Sequence, residues 1–172
     1  MESMMKLSPG PCGPDVLRLG QALLAACIAC PLAASARSGE VEIVHCVGAQ
    51  VHAAQTSPDV LFNMAEAWGT VRAQPAGGMF DMMTSHCFGA TRIVSGKPSL
   101  WGHCEWTDRD GDKVLMQYER SDPVVGKYTA VVGTGKYAGI TGSRDYRITI
   151  FPAVPGGRAS CDEGVLRYTL QD

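Results

Sequence analysis

Apolar and polar residues trade places at every second position through much of this chain. Val114, Met116 and Tyr118 share one side of a segment whose other side carries Lys113, Gln117 and Glu119; Tyr146, Ile148 and Ile150 oppose Asp145, Arg147 and Thr149; Leu166, Tyr168 and Leu170 oppose Arg167 and Thr169. A period of two sends successive side chains to opposite faces of a pleated strand. The roughly 3.6-residue period of an amphipathic helix is not sustained anywhere in 37–172. Alternation covers roughly 40–52, 59–73, 80–94, 99–107, 113–120, 124–132, 143–151 and 163–171, which makes eight strands with short connections. An open sheet of that size would leave two edges to protect, and closing the first strand on the last removes them. The expected fold class is therefore all-β, an eight-stranded antiparallel up-and-down β-barrel.

The residues before 37 differ in character. Lys6 and Arg18 are the only cations, 19–36 is an almost unbroken apolar run, and Ala34-Ser35-Ala36 offers a small-residue cleavage site. This is the layout of a secretory signal peptide. We expect 1–36 to be a removed leader and 37–172 to form a single domain that is exported, either periplasmic or secreted, with no membrane span. A competing reading takes Leu24-Ala25-Ala26-Cys27 as a lipobox that anchors a lipoprotein at Cys27. The apolar run continues to Ala34, where an acylated terminus would lead into a polar tether.

Of the seven cysteines, Cys46, Cys87, Cys104 and Cys161 lie beyond the leader. Four cysteines in an exported chain read as two disulfides with three possible pairings. Strand register narrows the choice. If Ser95-Gly96 is a two-residue turn, opposed positions sum to 191, a condition that Cys87 and Cys104 meet. Cys46–Cys161 then remains, with Cys46 on the first strand and Cys161 just before the last, two strands that closure makes neighbours. With Cys87 and Cys104 facing inward, Phe80, Met82, Phe88 and Trp101 face outward with His86, His103 and Glu105. So apolar an outer face suggests a contact between copies, a homo-oligomer, or a docking face for a cell-envelope assembly.

Net charge is −2, which gives no basic footprint for nucleic acid. Gly133, Gly135 and Ala138 match the spacing of a dinucleotide-binding loop, but a strand follows where that motif needs a helix. Asp108, Asp110 and Asp112 invite a calcium loop, yet Lys113 stands where its glycine belongs. A hairpin tip is the better reading. His86 and His103, diagonal neighbours beside Glu105, lack a third well-placed ligand. His45 and His52 complete the histidines. No nucleophile elbow is present. We assign no catalytic residue, metal site or cofactor.

The segment from Gly133 through Lys136, Tyr137 and Gly139 to Gly142, GTGKYAGITG, is similar to the GTGKYAGATG segment of allene-oxide-cyclase-like and dirigent-like β-barrels. The run from Cys104 to Lys113 resembles the C-x-x-x-D-x-D-G-D-K hairpin of uncharacterised exported bacterial proteins of that barrel type. The resemblance implies an eight-stranded antiparallel barrel and carries over no active site.

Trp106, Tyr118, Tyr128, Tyr146 and Tyr168 fall on the expected inner face. An eight-stranded barrel can be filled by such side chains or can hold one small ligand. The expected function is a binding or structural module for a small apolar or aromatic ligand. The alternatives are a cyclase or isomerase, for which an inward carboxylate such as Glu66 would speak, and a cell-envelope subunit.

Overall fold

The computed structural model describes residues 36–152 and 157–171. Eight strands run in chain order: β1 (Ala36–Ser57), β2 (Val60–Gln74), β3 (Met83–Val94), β4 (Lys97–Thr107), β5 (Lys113–Arg120), β6 (Val125–Gly133), β7 (Thr141–Ile150) and β8 (Arg158–Gln171). Each pairs antiparallel with the next, and β8 returns to β1 to close the barrel. The expected leader lies outside the described residues except for Ala36, the first residue of β1. Cys12, Cys27 and Cys30 lie outside them as well.

Period-two alternation becomes the lumen. Ile43, Val71, Met83, Trp106, Val114, Met116 and Leu166 are fully buried inside the barrel. Ser95 and Gly96 both have positive φ, 49° and 75°, as a tight hairpin turn between twisted strands requires. The register that follows sets Cys87 opposite Cys104, and the two are bonded. Cys46 lies opposite Cys161 across the closing seam and forms the second disulfide. Since β8 begins at Arg158, Cys161 sits within the strand and not, as expected, just before it.

Phe80 departs from expectation. Its alternation partners Met82 and Phe88 are exposed, but Phe80 is buried. The cause is local: Phe80 and Met82 adopt φ of 66° and 59°, so β3 begins only at Met83 and the loop ahead of it turns the Phe80 ring inward. Asp81 pins that loop by accepting hydrogen bonds from Gly77 N (2.7 Å), Ala73 N (3.1 Å) and Arg72 Nε (3.0 Å). These donors, the Gly77 amide foremost, hold the Asp81 carboxyl well below the usual carboxylate range.

The two motifs that carry the family resemblance meet in space. Asp108 Oδ1 accepts the Asp110 and Asp112 amides at 2.8 and 3.0 Å, shaping the β4–β5 hairpin. Lys136 then bridges Asp108 Oδ2 and Asp110 Oδ2, both at 2.7 Å, so its ammonium group pairs with two of the three aspartates. Hydrogen bonds that Lys136 donates to Asp108 and Asp110 push its pKa above the ordinary value. Gly135 opens the short 3-10 turn Gly135–Tyr137. It has φ of 51°, and a Cβ there would stand 1.8 Å from Asp112 Oδ1. The glycine spacing thus serves a turn docked on a hairpin. Gly135→Ala is expected to lower stability by about 1–3 kcal/mol in a urea titration, through backbone strain and displacement of Asp112.

Candidate functional site

The lumen has a filled half and an open half. Toward the 75–82 loop, Phe80 packs against Tyr137 and Tyr168 with ring centroids 5.2 and 5.1 Å apart. Tyr168 also donates to Met79 Sδ at 3.7 Å. Toward the Ser95–Gly96 turn the lumen keeps a cavity of about 120 Å³. Tyr118, Tyr128 and Tyr146 line one side of it, and Val47, Ala65 and Ala67 come from β1 and β2 across the barrel.

The cavity persists because large rings are laid along the wall. A Cβ at Gly89 would stand 1.9 Å from the Tyr118 hydroxyl oxygen, one at Gly102 2.4 Å from it, and one at Gly126 2.4 Å from that of Tyr146. Missing side chains on neighbouring strands therefore give each phenol a bed. Burial pushes the Tyr118 and Tyr146 phenols up to about 12. Burial, with the Asp162 charge adding to it, raises Tyr128 well above its ordinary value. All three stay protonated at neutral pH and can both donate and accept.

Charge collects at the cavity floor. Asp162, on β8, accepts from His45 Nδ1 at 3.1 Å and pairs through Oδ1 with Arg144 Nη2. His45 Nε2 lies 2.9 Å from Ser85 Oγ, and the Tyr128 hydroxyl is 3.3 Å from Nδ1. Burial resists ionisation of Asp162, but the His45 hydrogen bond and the Arg144 charge outweigh it and hold the carboxyl below its usual value. Arg144 is fully buried. Its Cζ lies 4.6 Å from the Tyr128 ring centroid, 5.6 Å from that of Trp106 and 5.8 Å from that of Tyr146. Aromatic faces thus surround a guanidinium whose Nε and Nη1 have no hydrogen-bond partner among the described residues.

Of the residues expected to face a ligand, Tyr118, Tyr128 and Tyr146 meet at the cavity. Trp106 lies in the core, packed against His45 and Tyr128, and Tyr168 lies in the filled half. Alternation supplies a face but not a height along the barrel. His45, Cys87 and Cys104 cluster within 4.8 Å, but the sulfurs are bonded to each other and lack the thiolate charge a metal ligand needs. Glu66 does not turn inward: it binds His86 Nε2 at 2.8 Å on the outer face, where His86 stacks on Trp68. The inward carboxylate is Asp162. Sequence reasoning passed over it together with Arg144 and Ser85. The available signal was parity, since Arg144 shares a face with Tyr146 and Asp162 with Leu166.

Outside, Met64, Trp68, Phe88 and Trp101 are exposed on β2 to β4. This bears out the apolar outer face for Phe88 and Trp101 and extends it to β2. Among the described residues, no helix is long and apolar enough to cross a membrane.

Among solved structures, the fold is similar to the pterocarpan synthase dirigent protein GePTS1, with a TM-score of 0.48 and 9% identity over 81% of this chain and 93% of that one. No protein-family model and no curated protein matches the chain.

Proposed function

We propose that the protein is an exported binding module that takes a small apolar or aromatic molecule into the open half of the barrel. The observation that carries this reading is the cavity beside Tyr118, Tyr128 and Tyr146, kept open by glycine beds and lined by phenols that remain protonated. An apolar cavity of about 150 Å³ can admit a benzene ring, and 120 Å³ with an opening to one end suits a single ring. Tyr118 and Tyr146 supply hydroxyls to orient it; Trp106 and Tyr168 support the wall and the closed end. Export after removal of 1–36 accords with the two disulfides, which persist in oxidising compartments.

A cyclase or isomerase reading has the inward Asp162 in its favour. Both oxygens of that carboxylate are engaged, one by His45 and one by Arg144, which suits a fixed floor better than a proton carrier. The exposed belt of Met64, Trp68, Phe88 and Trp101 supports a contact between copies of the chain.

Native mass spectrometry of the chain from Arg37 onward tests these readings together, reporting co-purified small molecules and copy number. Calorimetry with benzyl alcohol is expected to show one saturable site per chain, abolished by Ala65→Trp, which fills the cavity from the β2 wall. No heat with the wild type, or binding unaffected by Ala65→Trp, would count against a lumenal site.

A further inference from the structure

Two cations lie on the cavity lining nearer its mouth than the Asp162 floor. Arg120 takes the last inward position of β5, two residues beyond Tyr118, and Arg158 opens β8, four residues before Asp162. Asp162 is the sole carboxylate among the lining residues, and it is already matched by Arg144 and His45. Neither Arg120 nor Arg158 forms an ion pair among the described residues. Arg120 donates one N–H to the Pro123 carbonyl, which holds the side chain while leaving most of its five donors unused. The nearby Asp122 carboxylate is occupied by the Val124 and Val125 amides at 2.7 and 2.8 Å. The floor is thus balanced; at the mouth the Asp122 charge, which also faces Arg147, offsets part of that of Arg120, and with Arg158 the opening keeps a net positive charge that focuses the field on an incoming anion.

We infer that the lumen selects a small arene bearing a carboxylate, its ring set between Tyr118, Tyr128 and Tyr146 and its anionic group held at the mouth by Arg120 and Arg158. This inference rests on the lumenal binding reading and narrows it to a charge class. A guanidinium fork matches a carboxylate in plane and charge, which a neutral alcohol of the same size does not.

The test compares benzoate with benzyl alcohol by calorimetry on the disulfide-intact chain from Arg37. Benzoate is expected to bind roughly tenfold more tightly, and this preference should shrink as salt is raised. The double variant R120Q/R158Q should lower the ratio of the two affinities roughly tenfold, with an unchanged melting temperature showing that the barrel is intact. Benzyl alcohol binding as tightly as benzoate would overturn the inference and leave the lumenal site standing. A preference that survives in R120Q/R158Q would overturn it too, because the selectivity would then have another source. If neither probe binds, the lumenal reading falls and the inference with it.

Discussion

Replacing both Cys46 and Cys161 with alanine is expected to lower the free energy of unfolding by about 4–5 kcal/mol, a large share of the roughly 5–15 kcal/mol available to a domain. The bond joins residues 115 apart in sequence, so cutting it releases nearly the whole barrel in the unfolded chain. It also crosses the β1–β8 seam, the one ladder whose strands are distant along the chain and whose closure costs most loop entropy. The Cys87–Cys104 bond spans 17 residues within a hairpin; its removal is expected to cost about 3 kcal/mol. Urea titrations of C46A/C161A and C87A/C104A, under identical conditions, check the order. A greater loss from the hairpin pair would show that the seam is held mainly by its ladder and its packing.

The second large effect is expected at the cavity floor. Arg144→Leu leaves Asp162 buried with His45 as its only partner among the described residues, and breaking a buried pair from one side typically costs about 3–5 kcal/mol. Replacing both members, as Arg144→Met with Asp162→Leu, should cost less than the single change, because no uncompensated charge remains. The pH dependence has a definite sign. The Asp162 carboxyl is held below its unfolded value of 3.8, so its contribution is complete above that value and is lost as pH falls through the folded value. Below about pH 4 the wild type should therefore lose stability more steeply than Asp162→Asn. Equal slopes would mean that the floor pair adds nothing to acid stability.

How far the fold could be read in advance depended on how local each cause was. The β5 range, the Ser95–Gly96 turn and the Cys87–Cys104 pairing follow from alternation and turn chemistry, which act between near neighbours, and Cys46–Cys161 follows as the pair that remains. Phe80 escaped because a left-handed backbone in the loop before β3 interrupts the alternation, and residue types alone did not mark the break. Tyr168 and Trp106 were given the right face, yet one lies against the Phe80 plug and the other beneath the floor. Arg144 and Asp162 escaped for a different reason. A charged residue at an inward position breaks the rule that strand patterning relies on, and such breaks gather where a protein binds or reacts.

Taken alone, the order of residues determined a closed ring of eight strands and its sulfur pairing, because strand period, turn residues and register propagate from each strand to the next. Only the tertiary structure decided which half of the lumen stays open, which of the inward tyrosines reach it, and how its buried charges cancel. Those outcomes depend on β1, β7 and β8 bringing His45, Arg144 and Asp162 into contact, while glycines on β3, β4 and β6 make room for rings from their neighbours. Contacts between residues so distant in sequence leave no periodic trace in the chain.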